Sequence, residues 1–217
     1  MKTVIFGTGA LAEVCHYYLA CVDRRDVVGF CLDDAYLQDA EFMGLPVHPW
    51  SAVAERCPPE GHEMFVAVGY ADGNRYRQTK CMQARALGYR LAGYIDPSVA
   101  NNGAHVGHNC LVGEQGALGP FSRLGDGVLC RSGCLVGHHA RLGDWSYLGG
   151  GVVVSGFCEI GAHCFIGSGA VLRDGVKIAP HCVVGMGALV TRDLDVPGVY
   201  VGAPARLLRE GQDERPR

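Results

Sequence analysis

From Val106 onward an aliphatic residue returns every sixth position. The series runs Val106, Val112, Leu118, Leu124, Cys130, Val136, Leu142, Leu148, Val154, Ile160, Ile166, Leu172, Ile178, Val184 and Val190. Fourteen of these fifteen are aliphatic, the other is Cys, and the register never slips. Gly follows in ten of the fifteen cases, and two places before each stands a small or β-branched residue such as Ala104, Cys110, Ser122 or Val128. A period of six suits neither a helix at 3.6 nor a simple strand at 2. It predicts a β-solenoid in which each hexad forms a short strand and a corner, and three hexads close one coil of 18 residues. The aliphatic side chain then points inward, the small residue lines the inner corner, and the Gly after the aliphatic position turns the backbone with φ > 0.

The first hundred residues follow another pattern. Lys2–Phe6 is an apolar strand that runs into Gly7-Thr8-Gly9-Ala10-Leu11-Ala12 and a helical stretch to about Ala20. Val27–Leu32 reads as a second strand, Leu45–Val47 as a short third, Trp50–Arg56 as a short helix, Phe65–Gly69 as a further strand, and Asn74 to Leu87 as a helix. Strands alternating with helices predict an α/β, Rossmann-like parallel sheet. The expected organisation is therefore a Rossmann-like domain over 1–94, a parallel β-helix over 95–208 and a disordered tail over 209–217. Asp195-Val196-Pro197-Gly198 turns the chain out of the solenoid, and Val201–Arg206 follows as an extended strap.

Composition changes this picture little. Apolar residues make up 48% and charged residues 19%, with a net charge of −3, so no basic footprint for nucleic acid or an anionic membrane is present. The apolar run before Gly7 is too short for a signal peptide, and no stretch suits a bilayer span, so a cytoplasmic location is the expectation. Eleven cysteines cannot all pair within one chain, no CxxC occurs, and five of them (110, 134, 158, 164 and 182) share the small-residue position of the repeat. They read as small buried hydrophobes in a reducing compartment.

Several residues carry candidate chemistry. Gly7 to Ala12 is a degenerate GxGxxA turn that opens a helix, so Gly9, Ala10 and Leu11 offer backbone N–H groups to a phosphate, although purely structural turns share the pattern. Asp33 and Asp34, ending the second strand, suit a ribose or base, with solvated strand-end charges as the alternative. Gly69 and Asn74-Arg75-Tyr76-Arg77 close the same crevice. The segment is short for a full dinucleotide fold, which favours a sugar nucleotide over NAD. The solenoid histidines His105, His108, His163 and His181 raise the question of zinc, as in prisms similar to γ-type carbonic anhydrases, but they do not reproduce the close HxxxxH pair of that family, and no metal is expected.

With the hexad array, the GTGALA and LDD segments and Val201-Gly202-Ala203-Pro204-Ala205-Arg206 in view, the sequence resembles hexapeptide-repeat acyltransferases of the left-handed β-helix type. It is most similar to the two-domain group that includes sialic acid O-acetyltransferases and N-acetyltransferases of nucleotide-linked amino sugars. The resemblance implies a homotrimer, acetyl-CoA as acyl donor in the groove between neighbouring prisms, and a nucleotide-linked sugar held by the N-terminal domain. It places the general base at His138 and a backbone donor for the oxyanion at Gly156, for which a plain turn glycine is the alternative. It assigns coenzyme contacts to Tyr147, Gly156, Ser168, Met186 and Arg206. Two departures stand out. The Asp or Glu usual after the base is His139, and the Asn usual seven residues before it is Arg131. Asp126 and Asp144 are candidates to replace the missing carboxylate. Without one, a non-catalytic trimeric scaffold that binds a nucleotide sugar is the rival reading.

Overall fold

The computed structural model describes residues 1–211. Their contacts divide the chain into two compact units, Met1–Tyr70 with Tyr76–Tyr94, and Ala71–Arg75 with Ile95 onward.

The first unit is built on a six-stranded sheet. Its strands are β1 (Lys2–Phe6), β2 (Val27–Leu32), β3 (Glu41–Phe42), β4 (Leu45–Pro49), β5 (His62–Val66) and β6 (Arg90–Leu91), in the order β3-β4-β2-β1-β5-β6. All neighbours are parallel except the β3–β4 hairpin. Val4, Ile5, Phe30, Cys31, Met64, Phe65 and Val66 are fully buried, as the continuous apolar runs of a doubly covered parallel sheet require. The crossovers carry α1 (Ala10–His16), which continues into a π-helical turn at Tyr17–Val22, α2 (Val53–Arg56) and α3 (Arg75–Ala86). β5 begins three residues before the apolar run that predicts it. The polar Glu63 is drawn into the sheet because it accepts from the Thr3 hydroxyl at 3.1 Å and pairs with Arg25 at 3.2 Å. Gly7 has φ of +117°, and a Cβ there would stand 2.7 Å from the Ala67 carbonyl oxygen, so only glycine fits this turn.

The second unit is a parallel β-helix of two-residue strands in three sheets. Every pairing within the repeat joins residues 18 apart, for example Leu111↔Leu129↔Tyr147↔Phe165↔Val183 on one face. The repeat positions Leu118, Leu124, Leu148, Ile166 and Leu172 are buried in one continuous core. The three faces differ in their outward residues. One carries Leu111, Leu129, Tyr147, Phe165 and Val183; a second carries Ala117, Leu135, Val153, Val171 and Leu189; the third carries His105, Arg123, Arg141, Glu159 and Lys177.

The corner cysteines do more than fill space. The thiols of Cys110, Cys134, Cys158 and Cys164 donate to the carbonyls of Gly125, Gly149, Arg173 and Ala179 at 3.1–3.2 Å. Ser146 does the same with its hydroxyl to Gly161 at 2.9 Å. A short side chain with one polar hydrogen thus satisfies a buried carbonyl fifteen residues on, so Ser and Cys interchange there.

The role expected of the repeat glycine is corrected. The Gly after each aliphatic residue does not have positive φ; the left-handed position falls two residues later, at Asn109, Gln115, Phe121, His139, Trp145, Phe157, His163 and His181 and at glycines such as Gly133 and Gly151. The earlier Gly is required by space. A Cβ on Gly137 would stand 2.5 Å from the Gly156 nitrogen, and one on Gly119 would stand 2.6 Å from the His138 nitrogen. Each coil lies so close on the next that a methyl group has nowhere to go.

The exit also differs from expectation. Gly198–Val201 pairs parallel with Val183–Val184 and so continues a face of the helix. Gly202–Ala205 forms a turn in place of an extended strap, and Arg206–Glu210 returns antiparallel. The disordered tail expected from residue 209 therefore cannot include Arg209 and Glu210, which are strand; Gly211 follows as a bend, and 212–217 lie outside the described residues.

Candidate functional site

His138, Gly156 and Asp174 occupy one corner of the solenoid in three successive coils, each 18 residues from the last. A Cβ placed on Gly156 would stand 2.6 Å from His138 Cε1, 2.8 Å from His138 Nε2 and 2.8 Å from Asp174 Oδ1. The bare glycine thus lets the imidazole and the carboxylate face the same small space. Among the described residues the Gly156 N–H donates to no backbone or side-chain acceptor, whereas its carbonyl accepts from Gly175 at 2.9 Å. On the other side of the ring, His138 Nδ1 lies 3.2 Å from His139 Nδ1. His139, at φ of 59°, is sandwiched between Phe121 and Phe157 with ring centroids 4.8 and 4.9 Å away. Both His138 and His139 are exposed.

Asp126 and Asp144 do not take the place of the missing carboxylate. They belong to a different corner, where each caps the coil before it: Asp126 Oδ1 accepts from the His108 N–H and Asp144 Oδ1 from the Asp126 N–H, both at 2.8 Å. Asp174, which makes no such bond, is the carboxylate on the corner of His138. The 18-residue interval from His138 through Gly156 to Asp174 is the signal that marks it in the sequence.

The proposed coenzyme contacts are not gathered at this corner within one chain. Tyr147 projects from a face, stacked on Phe165 at 4.9 Å with planes 2° apart, and burial raises its phenol above the ordinary value. Ser168 and Met186 are exposed at the third corner, and Arg206 sits at the end of the exit turn with Nη1 on the Ala205 carbonyl at 3.1 Å. Of the remaining histidines, His163 and His181 stack at 5.1 Å, and His181 is held below the ordinary imidazole value by burial, then by His163 and Arg75. Among the described residues no group of three or more His, Cys, Asp or Glu side chains could hold a metal ion. A groove of about 700 Å³ runs along the charged face beside Arg123, Arg141, Glu159 and Lys177, but His138 does not line it.

In the first unit, Gly9 precedes α1 and its carbonyl accepts from Ala12 and Glu13. Ala10 and Leu11 are the first helical residues, and a Cβ on Gly9 or Gly69 would meet nothing within 4 Å, so both positions are open. Asp33 is already engaged, accepting from the Tyr76 hydroxyl and pairing with the Lys80 ammonium. Lys80 in turn lies 4.7 Å above the Trp50 ring and 5.2 Å above Phe6. Asp34 accepts from the Ser51 N–H at 3.1 Å, and hydrogen bonding from the Ser51 side chain first, then from its backbone, holds the carboxyl below the ordinary range. Arg77 is fully buried and Tyr76 is tied to Asp33, so this part of the predicted phosphate crevice is structural.

The family model "Bacterial transferase hexapeptide (six repeats)" matches residues 157–192. The acetyltransferase domain of PglB from Neisseria gonorrhoeae is 26% identical, with a TM-score of 0.83 over 95% of this chain and 99% of that one. PerB from Caulobacter crescentus, solved with CoA and GDP-perosamine, is 28% identical, with a TM-score of 0.84 over 95% and 97% of the two chains. These findings support a hexapeptide-repeat acyltransferase. WeeI from Acinetobacter baumannii, 21% identical with a TM-score of 0.77 over 96% of this chain and all of that one, shares the fold. A search of curated proteins finds no match. No helix among the described residues is long and apolar enough to cross a membrane.

Proposed function

We propose that this chain transfers an acetyl group from acetyl-CoA to the amino group of a nucleotide-linked amino sugar, with His138 as general base. The observation that carries the reading is the convergence of His138, Asp174 and the open Gly156 N–H on one corner. An amine is protonated at neutral pH and must lose a proton before it can attack a thioester. The Asp174 carboxylate attracts the ammonium, and Nε2 of His138 accepts its proton. The Gly156 N–H offers a donor where the carbonyl oxygen gains charge. A carboxylate at this point favours an amine acceptor over a neutral hydroxyl.

The relatives support the substrates. One is a complex of the PglB domain with acetyl coenzyme A, 25% identical with a TM-score of 0.84, and PerB was solved with GDP-perosamine. In this reading the second unit is a left-handed β-helix, and three copies associate so that Tyr147, Ser168, Met186 and Arg206 line coenzyme grooves with the His138 corner of a neighbour. The aliphatic face of Leu135, Val153, Val171 and Leu189, with Leu135 44% exposed, supports such an assembly. The first unit, Rossmann-like, holds the nucleotide near Gly9, Ala10, Leu11 and Gly69, with Asp33 shaping the site through Lys80 and Tyr76.

The test is to mix protein, acetyl-CoA and a panel of nucleotide-linked amino sugars and follow free thiol. Release is expected with one acceptor, and His138→Ala should lower kcat by the ~10²–10⁴-fold that a positioned proton acceptor contributes. No release with any acceptor, together with no CoA binding, would instead identify a nucleotide-sugar-binding scaffold.

A further inference from the structure

We propose that His139 is a positioning residue that fixes the tautomer of His138, in the place where a carboxylate would otherwise do so. The inference rests on the reading of His138 as base. The two Nδ1 atoms are 3.2 Å apart, and a hydrogen bond at that distance requires one of them to carry the proton and the other to accept it. If His138 owns it, His139 accepts as the Nε2–H tautomer and His138 presents a lone pair at Nε2, toward Gly156 and Asp174. If His139 owns it, His138 must carry its proton on Nε2 and cannot act as a base. The acceptor state is therefore the active one, and it also serves the imidazolium, whose Nδ1–H then makes a charge-assisted bond to a neutral partner.

The surroundings hold His139 in that role. Phe121 and Phe157 clamp its ring from the coils on either side, the Phe157 plane only 17° away, while Phe157 meets His138 edge-on at 4.9 Å and 84°. The ring is thereby kept edge-on to its partner's nitrogen. The segments packed on the pair, Pro120–Phe121 and Gly156–Phe157, bring no titratable side chain. The charged group of this corner is Asp174, on the Nε2 side of His138.

Three variants separate the acceptor from the stacked ring. His139→Phe keeps an aromatic ring in the Phe ladder but accepts nothing. His139→Asn keeps an acceptor without the ring. His139→Asp supplies a carboxylate. In the free-thiol assay, His139→Phe should lose about tenfold or more in kcat, part of the ~10²–10⁴-fold due to the base, with both KM values little changed. His139→Asn should keep most of kcat. His139→Asp should keep it too, with the acid limb of the pH profile moved to higher pH, since a carboxylate favours the imidazolium. The reverse order, with Phe as active as the native chain and Asn and Asp impaired, would show that only packing matters. Should His138→Ala itself retain turnover, the base assignment fails first, which is a distinct result. Independently of activity, ¹⁵N spectra of the native protein at pH 8 should show His138 as the Nδ1–H tautomer; the Nε2–H form would overturn the proposal.

Discussion

His138 Nε2 and Asp174 Oδ1 lie at the same 2.8 Å from the point where a Cβ on Gly156 would stand. The two groups share that space only because residue 156 has no side chain. Gly156 does not have positive φ, so alanine meets no backbone penalty there, only the two side chains. Gly156→Ala is therefore expected to push the imidazole aside and lower kcat by about 10²-fold, the cost of roughly an ångström of misplacement, with little change in melting temperature. Unchanged kcat in this variant would remove the corner from the chemistry.

Asp174→Asn tests how the acceptor is held. The amide keeps the shape but loses the attraction for an ammonium, so KM for an amino acceptor should rise about tenfold, within the range of a hydrogen bond to a charged group. Acetyl-CoA KM should not move. Steady-state kinetics with each substrate varied in turn would show this, and an effect confined to the donor would place Asp174 on the coenzyme instead.

The two kinds of repeat glycine should respond in opposite ways. Gly137 has ordinary φ but no room, since its Cβ would stand 2.5 Å from the Gly156 nitrogen. Gly151 has φ of +68° and nothing within 4 Å. Gly137→Ala should cost about 1–3 kcal/mol or more through overpacking of the stacked coils. Gly151→Asn should cost well under that, because Asn accepts the left-handed conformation. Chemical denaturation of both variants gives the comparison.

What the sequence disclosed follows from which interactions are periodic. The six-residue return of Val106 to Val190 reveals the solenoid because burial acts on every coil alike, and the limits of β1 and β2 follow from their apolar runs. β5 is misread at its start because Glu63 enters the sheet through Thr3 and Arg25, partners 60 and 38 residues away. The reason for the repeat glycines was hidden for a similar cause: an approach between coils involves residues 18 apart, which no local turn rule weighs. His138 stands out by resemblance, whereas Asp174 is reached only by counting coils. The engagement of Asp33 by Lys80 and Tyr76 depends on where α3 packs, and no spacing reveals it.

Cysteine chemistry should be nearly silent. Ten of the eleven thiols are buried, Cys21 is exposed, and burial pushes Cys134 and Cys182 up to about 11 and Cys164 to about 12. A disulfide reagent at pH 8 should titrate about one thiol per chain in the native protein, lost in Cys21→Ser, and all eleven after denaturation. Rapid reaction of several thiols in the native state would contradict the corner packing.

Stability should fall on mild acidification. His16, His48 and His181 are each depressed below 6.5, first by burial. In the unfolded chain these rings take up protons near 6.5, while in the folded chain they do so only at lower pH. Between those limits the unfolded state binds more protons, so their stabilising effect is complete above the unfolded value and is lost as pH falls toward the folded ones. Melting temperature should accordingly be flat above about pH 7.5 and drop through pH 6. The carboxyls of Asp34 and Asp72, held below 3.8 by bonds from Ser51 and Arg75, add their own loss only in more acidic solution. His181→Gln, which cannot take a proton, should flatten the slope between pH 7 and 5.5. A native profile with no slope in that window would contradict the depression of His16, His48 and His181 by burial.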